Sequence, residues 1–293
     1  MSTTAISVKK LTALSELIRL PKQYGTLLVL WPTLWSLFIA AGGRPSLKLL
    51  VIFIIGTFLM RSAGCAINDI ADRNFDPLVE RTRRRPLASG ALTVKEALFV
   101  FVSLSTLAFA LVLFLNPLTI ILSFVGILLA AVYPFVKRVS SLPQTFLGMA
   151  FGWGAVMAWT AVRNTIGPAA LLIFTANIFW SMAYDTIYAL MDIDDDIKIG
   201  VKSTAILFGR RVYLALNILY LAFSATLAAA GWLMGLGLFY YLAVGLGLCA
   251  FLWIVRAVQK NPVREVAFRG FVANAVVGGL MLLFIIVDLN LRP

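Results

Sequence analysis

The sequence lacks histidine altogether and has few charged residues, and both shortages narrow what the protein can do. Of its 293 residues, 13% are charged and 61% are hydrophobic, and the mean hydropathy is +0.95. A soluble domain would carry roughly twice that share of charge. Without histidine, the commonest general base and the commonest transition-metal ligand are missing. Carboxylates suited to hard ions such as Mg²⁺ remain.

Cysteine is also scarce. The chain has two, Cys65 and Cys249, and each lies within or at the edge of an apolar segment. We interpret both as packing residues and not as a disulfide.

Long apolar runs are abundant, and they predict an all-α membrane protein with a single domain over residues 1–293. Stretches of about 20 apolar residues recur, which is the length that crosses a bilayer as a helix. We predict nine transmembrane helices, at 24–42, 47–68, 94–115, 117–136, 143–162, 168–190, 211–233, 236–256 and 268–289.

The segment 1–22 has no apolar core of a cleavable signal. Leu11, Leu14, Leu17 and Ile18 follow helical spacing, which predicts a short amphipathic helix on the membrane surface. A frayed polar tail is the alternative.

The positive charge is strongly asymmetric between the two sides of the predicted topology. The N-terminal segment and the second, fourth, sixth and eighth loops hold twenty Lys and Arg residues. The opposite side holds only Arg44, Lys48, Arg163 and Arg292, and Arg61 lies inside the second span. The bias predicts a cytoplasmic N-terminus. We therefore interpret the net charge of +12 as a consequence of topology and of contact with anionic headgroups or substrates, and not as a sign of nucleic-acid binding.

The acidic residues are concentrated in two windows on the predicted cytoplasmic side. Four of the thirteen lie between Asp69 and Glu80, and five between Asp185 and Asp196. Acidic side chains beside a bilayer are costly unless a cation or a partner neutralises them, so the two windows indicate a functional site.

The first window predicts a stripe of polar side chains on one helix. Asn68, Asp72 and Asp76 are spaced i, i+4, i+8, and Arg61 lies two turns before Asn68 on the same face. An arginine there would meet phosphate oxygens. Asp69 points about a quarter-turn away, and we expect a solvated charge.

The second window has a similar pattern. Asp192 and Asp196 are four apart, and Asp185 lies two turns deeper on the same predicted face. Glu80 and Asp194 are expected to be solvated loop charges.

Two opposed rows of carboxylates would repel each other unless cations lay between them. Mg²⁺ favours carboxylate oxygens together with phosphate and water. The pattern therefore predicts a diphosphate that is held by Mg²⁺ and activated as a leaving group. Arg61, Arg73, Lys198 and Lys202 could cover the remaining phosphate charge.

A third element ends the fourth predicted span. Tyr133 and Lys137 are four apart and would share a helical face if Pro134 does not break the helix. Alone, this element is also typical of an interfacial anchor.

These motifs together resemble the UbiA superfamily of intramembrane aromatic prenyltransferases. The first motif is Asn68-Asp69-x-x-Asp72-x-x-x-Asp76, followed by the sequence RPLxSG from Arg85. The second is Asp192-x-x-x-Asp196, with Tyr133-x-x-x-Lys137 between them. The runs LWPTLW from Leu30, YDT from Tyr184 and KIGVKSTAILFG from Lys198 resemble the branch that prenylates 4-hydroxybenzoate.

The resemblance implies nine helices around a central cavity, with Mg²⁺ and diphosphate at the cytoplasmic mouth. It implies transfer of a polyprenyl group from polyprenyl diphosphate to the ring carbon ortho to the hydroxyl of 4-hydroxybenzoate, in ubiquinone biosynthesis. The residues that would hold Mg²⁺ and diphosphate are Asn68, Asp72, Asp76, Asp192 and Asp196. Tyr133 and Lys137 would lie near the diphosphate.

The resemblance also assigns Arg138 to the benzoate carboxylate, which a guanidinium can grip in bidentate fashion. We expect the allylic carbon–oxygen bond to ionise while the metal and cations stabilise departing diphosphate. An acid such as Asp185 or Asp192 would assist loss of the ring proton.

Other functions are weaker matches. Another aromatic or quinone precursor is the next acceptor to consider. A divalent-cation transporter would place acids near the bilayer midplane and not at one mouth. We expect a bacterial inner-membrane protein in contact with lipid and with no obligate protein partner.

Overall fold

The computed structural model describes residues 3–291, with side chains from residue 8 onward; Arg292 falls outside the described part. The described residues form helices joined by loops and short turns. The helices are α1 Thr3–Leu17, α2 Tyr24–Ala40, α3 Leu47–Asp72, α4 Val94–Val112, α5 Pro117–Val136, α6 Pro143–Arg163, α7 Pro168–Ala189, α8 Ile193–Ile199, α9 Thr204–Phe208, α10 Val212–Leu233, α11 Leu238–Lys260 and α12 Arg264–Asn290. Two 3₁₀ turns cover Asp76–Leu78 and Gly209–Arg211.

The nine predicted spans are confirmed as α2 to α7 and α10 to α12. Eight of the helices in the described part are long and apolar enough to cross a membrane, and α2, with 17 residues, is the shorter ninth. Several begin where the sequence provides an N-terminal signal. Proline occupies the first position of α5, α6 and α7, where its missing N–H costs nothing. Thr93 and Glu96 form a capping box at the start of α4.

The densest packing lies among α2, α6, α7, α10, α11 and α12, around an aromatic core. The rings of Trp180 and Phe223 stack at 5.9 Å, and those of Tyr220 and Phe251 stack at 4.7 Å. Asn274 accepts hydrogen bonds from the Trp180 indole at 2.9 Å and from the Tyr220 hydroxyl at 3.0 Å. These aromatic contacts and satisfied polar groups make one side of the bundle rigid.

The packing of α3, α4 and α5 is different. Helix α4 packs mainly on α3, and α5 packs mainly on α6, so a space remains between the two pairs. That space is a large apolar cavity, described below.

Helix α1 packs against the bundle on one side. Leu17 is fully buried and Ala13 nearly so, in a small cluster with Ala66, Leu92 and Ala97. Leu11 is 64% exposed, so the opposite face of α1 is free to meet a membrane surface. The predicted helix is present, and part of its apolar stripe contacts protein.

Candidate active site

The predicted site residues gather in one polar cavity of about 280 Å³ at one end of the bundle. We call it the vestibule. Its walls include nearly every residue that the sequence singled out: Asn68, Asp72, Asp76, Asp185, Asp192, Asp196, Arg61, Tyr133, Lys137 and Lys202. The two acidic windows therefore face a common space, as predicted.

The first window lies at the end of α3. Asn68 donates to Asp72 at 3.2 Å, which confirms that they share a helical face. Helix α3 ends at Asp72, however, so the prediction of a continuous stripe to Asp76 was wrong. Arg73 and Arg138 donate to the terminal carbonyls of Ile70 and Ala71, and these bonds stabilise the helix end. Asp76 reaches the vestibule from the following 3₁₀ turn.

The second window is also not one helix. Helix α7 ends at Ala189, and Asp192 directly precedes α8. Asp185 and Asp192 were predicted on one continuous face, and the chain turn between them makes that prediction wrong. Both still line the vestibule.

Three of the carboxylates are paired with cations from the same chain. The Lys137 ammonium contacts Asp72. Arg81 binds Asp192 in bidentate fashion, with Nη2 2.6 Å from Oδ2 and Nε 3.1 Å from Oδ1. Arg85 Nη1 lies 3.0 Å from Asp76 Oδ2. These three acids are neutralised within the chain, whereas Asp196 forms no ion pair with the described residues.

Arg81 and Arg85 were not singled out from the sequence. Both belong to the basic run at residues 81–85, which was interpreted as a topology signal, although Arg85 also begins the RPLxSG sequence. Arg81 also lies over the ring of Tyr188, 4.7 Å from its centroid. The RPLxSG sequence after the first motif was the available signal, because it places Arg85 next to a turn.

Electrostatics at the mouth favour a cation. Burial raises the pKa of the Asp76 carboxyl, and the neighbouring acids add to this effect. Burial together with Asp192 raises the pKa of Asp196 to about 6. Both shifts show that negative charge is costly here, so a bound divalent cation would relieve it.

The donor set fits Mg²⁺. It consists of carboxylates and one amide, and Asp72 Oδ1 is buried without a hydrogen-bond partner in the described structure. No three acidic side chains of the described residues converge closely enough to form a complete protein cage. Mg²⁺ rarely needs one, because it keeps waters and phosphate oxygens and takes one or two carboxylates.

Arg61 lies at the inner end of the vestibule. Its Nη1 donates to Cys65 Sγ at 2.6 Å, and its guanidinium lies 5.5 Å from the centroid of the Phe151 ring. Its buried Nε has no partner, and no carboxylate pairs with it in the described part of the chain. Gly25 makes room for it, since a Cβ there would lie 2.8 Å from Arg61 Nη2. Arg61 is therefore a cation available to an anionic ligand.

An apolar cavity of about 460 Å³ adjoins the vestibule. We call it the chamber. It lies between the α3–α4 and α5–α6 pairs, and its walls include Phe53, Phe101, Ala108, Phe109, Phe124, Ala130, Trp153 and Met157. Arg61, Tyr133 and Phe151 line both cavities, so they mark the junction. A molecule with a charged head and a long apolar tail would fit across it.

Asp185 is held by the first turn of α6. The Gln144 side chain lies beside the Asp185 carboxylate, and Gln144 Oε1 accepts from the Thr204 amide at 3.1 Å. Gln144 is itself buried. Asp185 therefore faces the vestibule close to Arg61 and Lys137, where its carboxylate could accept a proton.

The third sequence element is assembled as predicted, with one exception. Tyr133 and Lys137 both line the vestibule, and Pro134 does not break the last turn of α5. Lys202 lies at the rim and donates to the Val139 carbonyl at 3.2 Å. Arg138 is not among the vestibule residues.

Arg138 instead lies behind the end of α3. Its guanidinium is 5.1 Å from the centroid of the Phe75 ring and 5.4 Å from that of Phe135. Its hydrogen bond to the Ala71 carbonyl gives it a structural role at that helix end. Its assignment to the acceptor carboxylate stays a prediction.

The expected loop charges differ from one another. Asp194 is exposed, and Glu80 is 65% exposed and paired with Arg264 at 2.6 Å, as expected for surface groups. Asp69 was predicted to be solvated, and that was wrong: it is fully buried and contacts Arg19 and Arg85. Its partner Arg19 is 50 residues away, so no local pattern indicated the pair.

Comparisons with known proteins agree with this geometry. The model of the UbiA prenyltransferase family matches residues 29–275. The chain is 50% identical over 279 residues to 4-hydroxybenzoate octaprenyltransferases of Salmonella paratyphi B and Salmonella newport, covering 95% of this chain and 96% of each relative.

Solved structures share the fold. A UbiA homologue from Aeropyrum pernix K1 in its apo form is 26% identical, with a TM-score of 0.76 over 87% of this chain and 96% of that one. A UbiA homologue from Archaeoglobus fulgidus, bound to DMAPP and Mg²⁺, is 18% identical, with a TM-score of 0.70 over 95% and 99% of the two chains.

Proposed function

The chain belongs to the UbiA prenyltransferase family, and from that premise we propose that it prenylates 4-hydroxybenzoate. The donor would be a polyprenyl diphosphate and the new bond would form at the ring carbon ortho to the hydroxyl, in ubiquinone biosynthesis. The observation that carries the proposal is the junction of the vestibule and the chamber at Arg61, Tyr133 and Phe151. Relatives that are 50% identical over nearly the whole chain bear the name of this activity, which supports the choice of acceptor.

The vestibule would take the diphosphate. Asn68, Asp72 and Asp76 on one side, with Asp192 and Asp196 on the other, would hold Mg²⁺. When bound, Mg²⁺ would supply charge neutralisation of the diphosphate leaving group. Lys137 and Arg81 would then be free to turn from Asp72 and Asp192 toward phosphate oxygens. Both are long side chains at the cavity wall, so they need no backbone motion for this.

The chamber would take the isoprenoid tail and keep water away from the reacting carbon. Its walls are apolar apart from a few hydroxyl groups and from Arg61 and Tyr133 at the junction, and they contain no carboxylate. Phe151 at the junction presents a ring close to the reacting end of the tail, where an aromatic face stabilises positive charge. Exclusion of water there protects an allylic cation from hydrolysis.

Side chains of this protein can receive both the leaving group and the proton that the proposed reaction releases. The allylic carbon–oxygen bond breaks, and its electron pair leaves with diphosphate toward Lys137, Arg81 and Arg85. The ring carbon of the acceptor forms the new carbon–carbon bond. The proton on that carbon passes to a carboxylate, and Asp185 is suited to receive it because Gln144 orients it beside the junction.

The acceptor carboxylate needs a cation, and two arginines of the chain are candidates. Arg138 is the residue that the family resemblance assigns. Arg61 is supported by its position, since it lines both cavities and has an unpartnered Nε.

We further propose a bacterial inner membrane with α1 and the vestibule on the cytoplasmic side. Twenty basic residues at the vestibule end of the predicted topology support this orientation. The substrates and the surrounding lipids are the partners that the proposal requires.

The test is a product assay with the purified protein in detergent or membranes. Ring-labelled 4-hydroxybenzoate is incubated with polyprenyl diphosphates of several lengths, with Mg²⁺ or with EDTA. Parallel reactions replace the acceptor with homogentisate or a dihydroxynaphthoate. The proposal predicts a labelled, lipid-extractable product from 4-hydroxybenzoate that EDTA abolishes. No product from 4-hydroxybenzoate, or faster turnover of another acceptor, would contradict it.

A further inference from the structure

We propose that Asp69 is a positioning residue that builds the N-terminal segment into the vestibule wall through Arg19 and holds Arg85 against Asp76. The inference rests on the proposed function, since Asp69 would position the residues that bind the diphosphate of the donor. It assigns a role to a buried acid that the reaction itself does not use.

Asp69 does not face the ligand space. Its side chain is fully buried, and it is absent from the vestibule walls although Asn68 beside it is present. Its Oδ1 accepts from Arg19 Nη2 at 2.7 Å and lies 3.3 Å from Arg85 Nη1. A carboxylate in this position cannot reach a metal at the mouth, so its contribution must pass through the two arginines.

Arg85 transmits one half of that contribution. Its Nη1 lies 3.1 Å and 3.0 Å from the two carboxylate oxygens of Asp76 while it also contacts Asp69. One guanidinium therefore bridges a fully buried acid and a candidate metal ligand. Because Asp69 also holds Arg85, it limits the orientations that Asp76 can adopt when a metal ion replaces Arg85 as the partner of Asp76.

Arg19 transmits the other half. Its backbone is in the left-handed region at φ +57°, which is strained for an arginine. The surroundings hold it there: Arg19 Nη1 donates to the Glu16 carbonyl at 2.7 Å, and Gln23 Nε2 donates to the Arg19 carbonyl at 2.9 Å. From this backbone position the side chain contacts Asp69 at 2.7 Å, and Arg19 also lines the vestibule.

The N-terminal segment thereby becomes part of the site. Leu17 and Ala13 dock on Ala66 of α3, one turn before Asp69. Lys22 and Tyr24, which follow Arg19, also line the vestibule. A segment that the sequence describes only as a membrane-surface helix supplies a charged wall for the diphosphate.

The chain provides a matched control. Lys10 pairs with Glu96 of α4 at 2.5 Å, so it too ties α1 to the bundle, but on the exposed side and away from the vestibule. The variants are Asp69→Asn, Arg19→Gln, Arg19→Lys, the double variant Asp69→Asn/Arg19→Gln, and Lys10→Gln. Two readouts are taken: the thermal shift produced by Mg²⁺ with inorganic diphosphate and no acceptor, and the separate KM values for donor and acceptor.

Asp69→Asn and Arg19→Gln should each raise the Mg²⁺–diphosphate concentration for a half-maximal shift by about tenfold, as misplaced positioning groups do. The double variant should be no worse than Asp69→Asn, because both changes remove one linkage. The KM for the acceptor should stay within about twofold, and Lys10→Gln should match the wild type. Arg19→Lys should recover part of the loss by keeping the charge.

Two results would overturn the inference. One is a Mg²⁺–diphosphate response in Asp69→Asn and Arg19→Gln that equals that of Lys10→Gln. The other is an equal rise in both KM values with additive losses in the double variant. Should Asp69→Asn not fold, Arg19→Gln against Arg19→Lys decides by the same criteria. A wild type that responds to Mg²⁺–diphosphate but prenylates no 4-hydroxybenzoate would sink the proposed function and leave this inference standing.

Discussion

The vestibule and the chamber meet at three residues, yet they are built on opposite principles. The vestibule concentrates charge: acids and cations pair across it, and several of them are buried. The chamber has almost no polar lining and lies where α4 and α5 leave a gap. A buried charge must be paired with a specific group of opposite charge, whereas an apolar wall needs only to leave a space of the right volume. We therefore expect the vestibule to be intolerant of change and the chamber to be tunable.

The sharpest test of that contrast is removal of the vestibule acids. Asp72→Asn and Asp192→Asn should lower kcat by about a thousandfold for every donor length, because a lost charge-stabilising group costs that order. The residual activity should no longer respond to Mg²⁺. Steady-state kinetics with donors of two lengths provide the measurement.

Asp194→Asn is the matched control for these variants. Asp194 lies in the same acidic run but is exposed and absent from the vestibule walls. Its substitution should leave kcat within about twofold. Wild-type activity in Asp72→Asn would contradict the proposal that Asp72 binds Mg²⁺.

The next largest effect concerns the junction between the two cavities. Arg61→Ala should raise the KM for 4-hydroxybenzoate by about 10- to 100-fold, the range for a lost charge-assisted hydrogen bond near 1.5–3 kcal/mol. Arg138→Ala should act mainly through the end of α3, and so lower the melting temperature without a selective change in acceptor KM.

The reverse pattern would restore Arg138 as the partner of the acceptor carboxylate. Arg61→Lys is the companion variant, since it keeps the charge but loses the planar fork. Partial recovery with Lys is expected if charge dominates at the junction, and none if geometry does.

The chamber should respond to volume, and differently for different donors. Ala108→Phe and Ala130→Phe each fill part of its wall. They should reduce kcat/KM for long donors by about tenfold while short donors change less than about twofold, as expected when space and not charge is lost. Competition between a long and a short donor in one reaction measures the ratio directly.

Leu107→Phe is the control, because Leu107 adjoins Ala108 on α4 but is 56% exposed on the outer surface. It should not alter the ratio. Loss of all donors alike in the Ala108 and Ala130 variants would mean that the tail lies elsewhere.

The smallest effect is expected at the outer rim of the vestibule. Arg264 donates to the Met191 carbonyl at 2.8 Å and pairs with Glu80, so it links the loop after α3 to the turn before α8. Because the group is half exposed, Arg264→Ala should raise the Mg²⁺ concentration for half-maximal activity only about two- to threefold. Arg269→Ala, which removes an exposed pair with Glu265, should not change it. A tenfold effect would show that the rim is as sensitive as the interior.

The same contrast explains what the sequence could predict. Charged residues in an apolar chain are conspicuous, so both acidic windows, Arg61 and Lys137 were identified and lie together. Helix ends were less predictable: α3 ends at Asp72, where Arg73 and Arg138 donate to the carbonyls of Ile70 and Ala71, and Arg138 is 67 residues from Ala71 in the sequence.

Long-range pairs and apolar cavities were the least predictable. The burial of Asp69 depends on Arg19, which is 50 residues away. The resemblance implied a central cavity, but the residues that line the chamber were not predicted, because an apolar residue that faces a cavity has the same sequence signature as one that faces lipid. Phe109 and Leu107 illustrate this: both are apolar positions of α4, but only Phe109 lines the chamber.

A structure with Mg²⁺ and a non-hydrolysable polyprenyl diphosphate analogue would show directly whether the two cavities share one substrate. We expect Asp72 and Asp192 to separate from Lys137 and Arg81 and to bind the metal, both cations to contact the diphosphate, and the tail to pass Arg61 into the chamber. A diphosphate bound outside the vestibule with the Lys137–Asp72 and Arg81–Asp192 pairs intact would contradict this expectation, and so would a tail that leaves the chamber empty.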